Sequence, residues 1–188
     1  MPDVCADFES LRRVVKAAGW RRVGIDGVDG VGKSYLAAEL SEALGYPTLD
    51  VDDYVFKNQG GFVPFVDYPA LSAALKSMPE VILSGACLRE VLANAGSTLD
   101  GHIYIKRMRN GLWADEDKCV FPEGVDAAVN AIAQYSEMVS RSLDDRSDLP
   151  NPVDESQPDL PEEIMRYHEQ YEPHEMADLV YERPDRID

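Results

Sequence analysis

Residues 21–45 read Arg-Arg-Val-Gly-Ile-Asp-Gly-Val-Asp-Gly-Val-Gly-Lys-Ser-Tyr-Leu-Ala-Ala-Glu-Leu-Ser-Glu-Ala-Leu-Gly, and this stretch decides the fold. Within it, Gly27 to Ser34 is a complete G-x-x-x-x-G-K-S phosphate-binding loop. The run Arg21-Arg22-Val23-Gly24-Ile25-Asp26 before it predicts a short buried strand. The helix formers from Tyr35 to Leu44, closed by Gly45, predict a helix. Strand, glycine loop and helix in that order aim several backbone N–H groups and the positive end of a helix dipole at one point, an anion site suited to a polyphosphate. Gly27, Gly30 and Gly32 let the backbone curl. Together with Val28, Asp29, Val31 and Tyr35 they form the cradle expected to hold a nucleoside triphosphate. Lys33 is expected to reach its β- and γ-phosphates and the Ser34 hydroxyl to ligate Mg²⁺.

Outward from this stretch, short apolar runs alternate with helical segments. Strands are expected at 47–51, 80–85, 101–106 and 177–181. Helices are expected at 3–18, from Pro69 through Leu75, at 86–95, 125–143 and 161–171. That alternation predicts an α/β fold, a three-layer αβα sandwich around a mostly parallel sheet. The 188 residues fit one domain. Residues 144–162, with four prolines and seven acids, read as an extended, mobile connection.

Thirty-five acids against 18 Lys and Arg give a net charge of −17. Such a chain repels phosphate backbones and anionic lipid, so neither nucleic acid nor membrane is an expected partner. No apolar stretch approaches the ~20 residues needed to span a bilayer. The N-terminus shows neither a basic nor an apolar signal region, so a secretory leader is not expected. Cys5, Cys87 and Cys119 are odd in number, far apart and without metal spacing. Free thiols in the reducing cytosol are the expectation.

Three further segments narrow the class. Asp52-Asp53-Tyr54-Val55 follows the second strand, Phe65-Val66-Asp67-Tyr68-Pro69-Ala70 opens the next helix, and Tyr167-x-x-x-Tyr171-x-Pro173-x-x-x-Ala177-Asp178 precedes the last strand. In this order they resemble the uridine kinase-like family of phosphate-loop kinases, over residues 21–75 and more loosely over 163–182. The resemblance implies an ATP- and Mg²⁺-dependent kinase for a hydroxyl of a small molecule, with a nucleoside as the leading acceptor. It implies that Asp52 is the general base, that Asp67 binds the sugar hydroxyls and that Tyr54 lies near the acceptor. Asp52 has independent support: in-line phosphoryl transfer needs a carboxylate to orient and deprotonate the attacking hydroxyl, and the end of strand two opens onto the loop's crevice.

The chain also departs from that pattern. Ser84 stands where the family has a glutamate, leaving Ser84, Asp26 or Asp52 to organise the metal. The lid segment Lys106-Arg107-Met108-Arg109-Asn110-Gly111-Leu112-Trp113 lacks the usual Arg-Asp pairing, although Arg107 and Arg109 could supply charge to the transition state. Trp113 is expected to pack in a core or loop, and His168 and His174 to lie at a solvated helix end. The stretch Asp26 to Gly30 also resembles thymidylate kinase, whose Asp-Arg-Tyr segment after strand three is absent here. A kinase for another metabolite or a nucleoside monophosphate, and a nucleotide-binding regulator without acceptor chemistry, are the alternative readings.

Overall fold

The computed structural model describes residues 2–56, 59, 61–142 and 160–184. Its seven strands are β1 (Asp3–Cys5), β2 (Arg22–Asp26), β3 (Thr48–Asp50), β4 (Val81–Ser84), β5 (Gly101–Arg109), β6 (Leu112–Trp113) and β7 (Leu179–Pro184). Six of them form one parallel sheet in the order β1-β7-β5-β2-β4-β3, and β6 folds back antiparallel on β5. The helices are α1 (Phe8–Ala18), α2 (Lys33–Leu44), α3 (Tyr68–Ser77), α4 (Leu88–Ala95), α5 (Val125–Ser142) and α6 (Leu160–Tyr171).

Successive side chains of a strand point to opposite faces of a sheet. All four residues of β4 and the last four of β2 are buried, so the sheet is covered on both faces. Helix α2 packs on β2, β3 and β4 and touches α1; α4 packs on β2 and against α3 and α6. This is the expected α/β sandwich. Val23, Ile25, Val81, Ile82 and Leu83 form its fully buried centre. Gly24 is also structural, since a Cβ there would press into the Leu88 and Leu99 side chains. No helix among the described residues is long and apolar enough to cross a membrane.

The chain passes from β2 outward to β3, back to β4, and then to β5 on the other side of β2. The crevice beyond the end of β2 therefore sits where the strand order reverses, the usual binding position in open parallel sheets.

Four expectations need correction. Helical spacing over residues 3–18 predicted one helix, but residues 3–5 form β1 and pair with β7. Asp7 ends the helix there: in an extended conformation (φ −141°, ψ 154°) its side chain accepts from the Ser10 N–H at 2.9 Å and caps α1. The fourth strand runs on to Arg109, so the basic segment expected to be a lid is a β-hairpin turning at Asn110 (φ 53°) and Gly111 (φ 76°). Of the acidic 144–162 stretch, residues 144–159 lie outside the described residues, while 160–162 open α6 and are not an extended connection. His168 and His174 are buried rather than solvated. The His168 Nε2 and the Tyr104 hydroxyl are 2.8 Å apart, and the His174 ring packs on Trp113 with centroids 5.1 Å apart. Burial lowers both imidazole pKa values, that of His174 to about 4. Trp113 packs edge-on to Tyr104, as expected of a packing residue, with the Lys106 ammonium 4.2 Å from its ring centre. All three cysteines are free and buried.

Candidate active site

Strand β2 delivers the chain to the crevice at Asp26, which is buried. One Asp26 oxygen accepts from the Gly27 N–H at 2.7 Å, and the other accepts from the hydroxyl of Tyr167 on α6. The Tyr167 oxygen in turn accepts from the Arg89 N–H at 3.2 Å. The loop then curls through left-handed conformations at Gly30 (φ 71°) and Gly32 (φ 93°), which side chains rarely adopt. Asp29 steadies the curl by accepting from the Gly30 N–H at 2.9 Å. Helix α2 begins at Lys33 with no side-chain cap and no acid in its first turn, so its leading N–H groups face the crevice without an internal partner. The Lys33 ammonium donates to the carbonyls of Gly27 (3.0 Å) and Val28 (2.9 Å), folded back on its own loop.

Beside the loop, the Ser34 hydroxyl donates to Asp50 at 2.8 Å. The carboxylate that meets Ser34 is therefore Asp50, at the end of β3, rather than Asp52. Asp50 also accepts from the Asp52 N–H at 3.2 Å, and Ser84, buried at the end of β4, is its register partner. Asp50 was not among the metal candidates read from the sequence, which were Ser84, Asp26 and Asp52 beside Ser34. An oxygen pair of hydroxyl and carboxylate is the donor set of a hard cation, and Mg²⁺ commonly takes one or two carboxylates plus phosphates and water. Among the described residues no cluster of three or more His, Cys, Asp or Glu is placed to hold a metal.

Asp52 and Asp53 face different clefts. Asp52 lines a cleft of about 370 Å³ together with Asp29, Lys33, Phe56, Phe62 and Ala86. Asp53 and Tyr54 line a smaller one of about 230 Å³ on the Ser34–Asp50 side. The Asp52 carboxyl is raised above its ordinary 3.8, first by desolvation against the cleft wall and then by the Asp50 charge, with Lys33 opposing. A third, mostly apolar cleft of about 350 Å³ adjoins that of Asp52 through Asp29 and Leu160, with Ile164 and Met165 in its wall.

The remaining expected site residues are engaged elsewhere. Asp67 caps α3, accepting from the Ala70 N–H at 3.0 Å. The Arg107 guanidinium makes a two-pronged ion pair with buried Asp115, at 2.6 and 3.2 Å, and Arg109 is exposed at the end of β5 beside the hairpin turn. Neither arginine lines the Lys33–Asp52 cleft. Glu163 was not foreseen. From α6 its buried carboxylate accepts from the Phe62 (2.6 Å) and Val63 (2.9 Å) N–H groups and fixes the loop that walls the cleft. Burial raises its pKa, and those two bonds oppose the rise. No local signal marks it; it is one acid among several on a helix.

No family model and no curated protein matches the chain. Among solved structures, it resembles a possible uridine kinase from Bacillus stearothermophilus at 16% identity and a TM-score of 0.49, over 93% of this chain and 96% of that one. It resembles shikimate kinase from Aquifex aeolicus at 16% identity and a TM-score of 0.41, over 86% of each chain. A gluconokinase from Sinorhizobium meliloti 1021 is similar at 17% identity and a TM-score of 0.31, over 84% of this chain and 93% of that one. At these values the likenesses do not bear on function, which has to be argued from the residues in the crevice.

Proposed function

We propose that the protein is a small-molecule kinase that moves the γ-phosphoryl group of ATP to a hydroxyl, with a nucleoside as the leading acceptor. The observation that carries this reading is that Lys33 and Asp52 line one cleft while Ser34 and Asp50 pair beside it. Phosphate cradle, metal donors and candidate base thus adjoin at the reversal point of the sheet.

The loop amides and the α2 N-terminus bind the polyphosphate, and Lys33 exchanges two backbone carbonyls for phosphate oxygens. Ser34 and Asp50 would hold Mg²⁺, which screens the phosphate charge. This frees Asp52 from the metal role and leaves it as general base, orienting the acceptor hydroxyl and taking its proton. Its raised pKa brings its basicity closer to that task. Charge for the transition state comes from the loop and Lys33; Arg107 is neutralised by Asp115, and neither it nor Arg109 lines the cleft. Asp67 and Tyr54 are assigned to the acceptor through the family resemblance alone.

The regulator reading draws support from the same Arg107–Asp115 pair. A screen of nucleosides and small polyols for ADP release with Mg·ATP separates the two. A kinase turns over with at least one acceptor and loses that turnover in Asp52→Asn. Nucleotide binding with no acceptor-dependent ADP release across the screen would favour the regulator.

A further inference from the structure

We infer that Arg183, on the last strand, is a phosphate-binding residue that grips the polyphosphate from the Gly32 side of the loop. The inference rests on the proposed nucleotide site and adds a cation the loop motif does not contain.

Strand β2 ends at Asp26, in register with Tyr104 of β5 and through it with Val180 of β7. The last residues of β7 therefore project past the end of β2, alongside the loop. There the Arg183 guanidinium lies against the backbone of Gly32, so close that a Cβ on Gly32 would overlap its Nη1. The Arg183 Nε is buried and has no hydrogen-bond partner among the described residues. Its register neighbour Arg107 is spent on Asp115, and no ion pair satisfies Arg183 among the described residues. Glu39 shares a cleft of about 260 Å³ with it but stays beyond ion-pair distance.

The electrostatics then point one way. Gly32 is the N-cap of α2, where the helix presents unsatisfied N–H groups, no capping side chain and no acid in its first turn. A guanidinium held against that end sets like charges together and leaves one of its own donors desolvated, which costs free energy without a compensating anion. An anion seated on the loop relieves both costs. A guanidinium suits a phosphate because its planar fork can donate two parallel bonds. Sequence reasoning missed Arg183 because only the sheet order brings β7 beside β2's neighbour.

The test uses the full chain and two probes, Mg·ATP and inorganic tripolyphosphate, by calorimetry, with thermal unfolding of the ligand-free protein. Arg183→Gln is expected to weaken both ligands by about 10–100-fold, the value of a charge-assisted bond. The ligand-free melting temperature should hold or rise, because a like-charge contact is relieved. Arg183→Lys keeps the charge without the fork and is expected to fall between; should Arg183→Gln not fold, Arg183→Lys within twofold of wild type for both probes would overturn the inference. So would wild-type affinity for both probes in Arg183→Gln, a loss confined to ATP, or a lower ligand-free melting temperature with an unchanged ligand-induced shift, the signature of a mere prop. Wild-type protein that binds neither probe would overturn the nucleotide site itself. Binding lost in Lys33→Ala but kept in Arg183→Gln would overturn only the role of Arg183.

Discussion

The stretch from β2 to α2 and the C-terminal stretch from α6 to β7 both shape the crevice, and they do so by opposite means. The first is local: a strand, three glycines, a lysine and a helix, each explained by neighbours within a few positions. The second works across the chain. Tyr167 bonds Asp26 from 141 residues away, and Glu163 holds the Phe62 and Val63 amides from about a hundred. The first carries the residues proposed for the chemistry, and the second, apart from Arg183, holds them in place. Substitutions in the first should therefore strike ligand binding or turnover with little cost in stability, and substitutions in the second, Arg183 apart, should do the reverse.

The largest expected effect is in the local stretch. Lys33→Ala removes an ammonium whose protein contacts are two carbonyls of its own loop. The fold should survive, while ATP affinity falls by about 100-fold or more, as expected when a buried charge-assisted contact is lost. Unchanged affinity in a folded variant would sink the nucleotide site. Asp52→Asn keeps the size of the side chain and removes the proton acceptor. Turnover with the true acceptor should drop about 10²–10⁴-fold while ATP binding holds. Asp53→Asn should do far less, since Asp53 lines another cleft; equal small losses at both would reduce the two acids to turn caps. The pH profile adds a check. Because the carboxyl of Asp52 is raised, the acid limb of kcat/KM should lie above the ordinary 3.8, with activity gained as pH rises through it. Lys33 opposes that rise, so any residual activity of Lys33→Ala should shift its limb to still higher pH.

Tyr167→Phe tests the long-range half. It removes the donor to Asp26 and leaves a buried carboxylate oxygen short of a partner, which costs about 1–3 kcal/mol of stability. Denaturant unfolding measures this directly. An unchanged midpoint would mean that the loop holds Asp26 without help from α6.

The same division explains what could be read before the fold was known. The phosphate loop, the caps at Asp67 and Gly96 and the central strands are written in local patterns, and the sandwich follows from their alternation. The hairpin at Asn110-Gly111 was also written locally, since Asn-Gly is the strongest two-residue turn signal. The family resemblance drew attention to the arginines on either side of it instead. What was not legible depends on distant partners. β1 exists because β7 offers it an open edge, and His168 and His174 are buried because Tyr104 and Trp113 cover them. Asp50 became a metal candidate only when β3 came to lie beside Ser34.

Glu163 offers the smallest effect and the sharpest test of the long-range half, because its contribution has a sign in pH. Its folded-state pKa is raised above the ordinary 4.5, with burial the leading cause. The folded state therefore holds the proton more tightly than the unfolded chain. The stability this provides is fully present below the unfolded value and is lost as pH rises through the folded one. Between the two values the slope is at most about 1.4 kcal/mol per pH unit. Glu163→Gln cannot titrate and still offers one oxygen to the Phe62 or Val63 amide. It should flatten the fall in stability above pH 4.5 and lower the plateau modestly, because one of the two N–H groups loses its acceptor. Urea unfolding of both proteins across this range is the measurement. Parallel curves would show that Glu163 titrates as an ordinary surface acid and that the cleft wall does not depend on it. Converging curves as pH rises would show that α6 holds the Phe62–Val63 wall through a carboxylate that the fold would rather keep protonated.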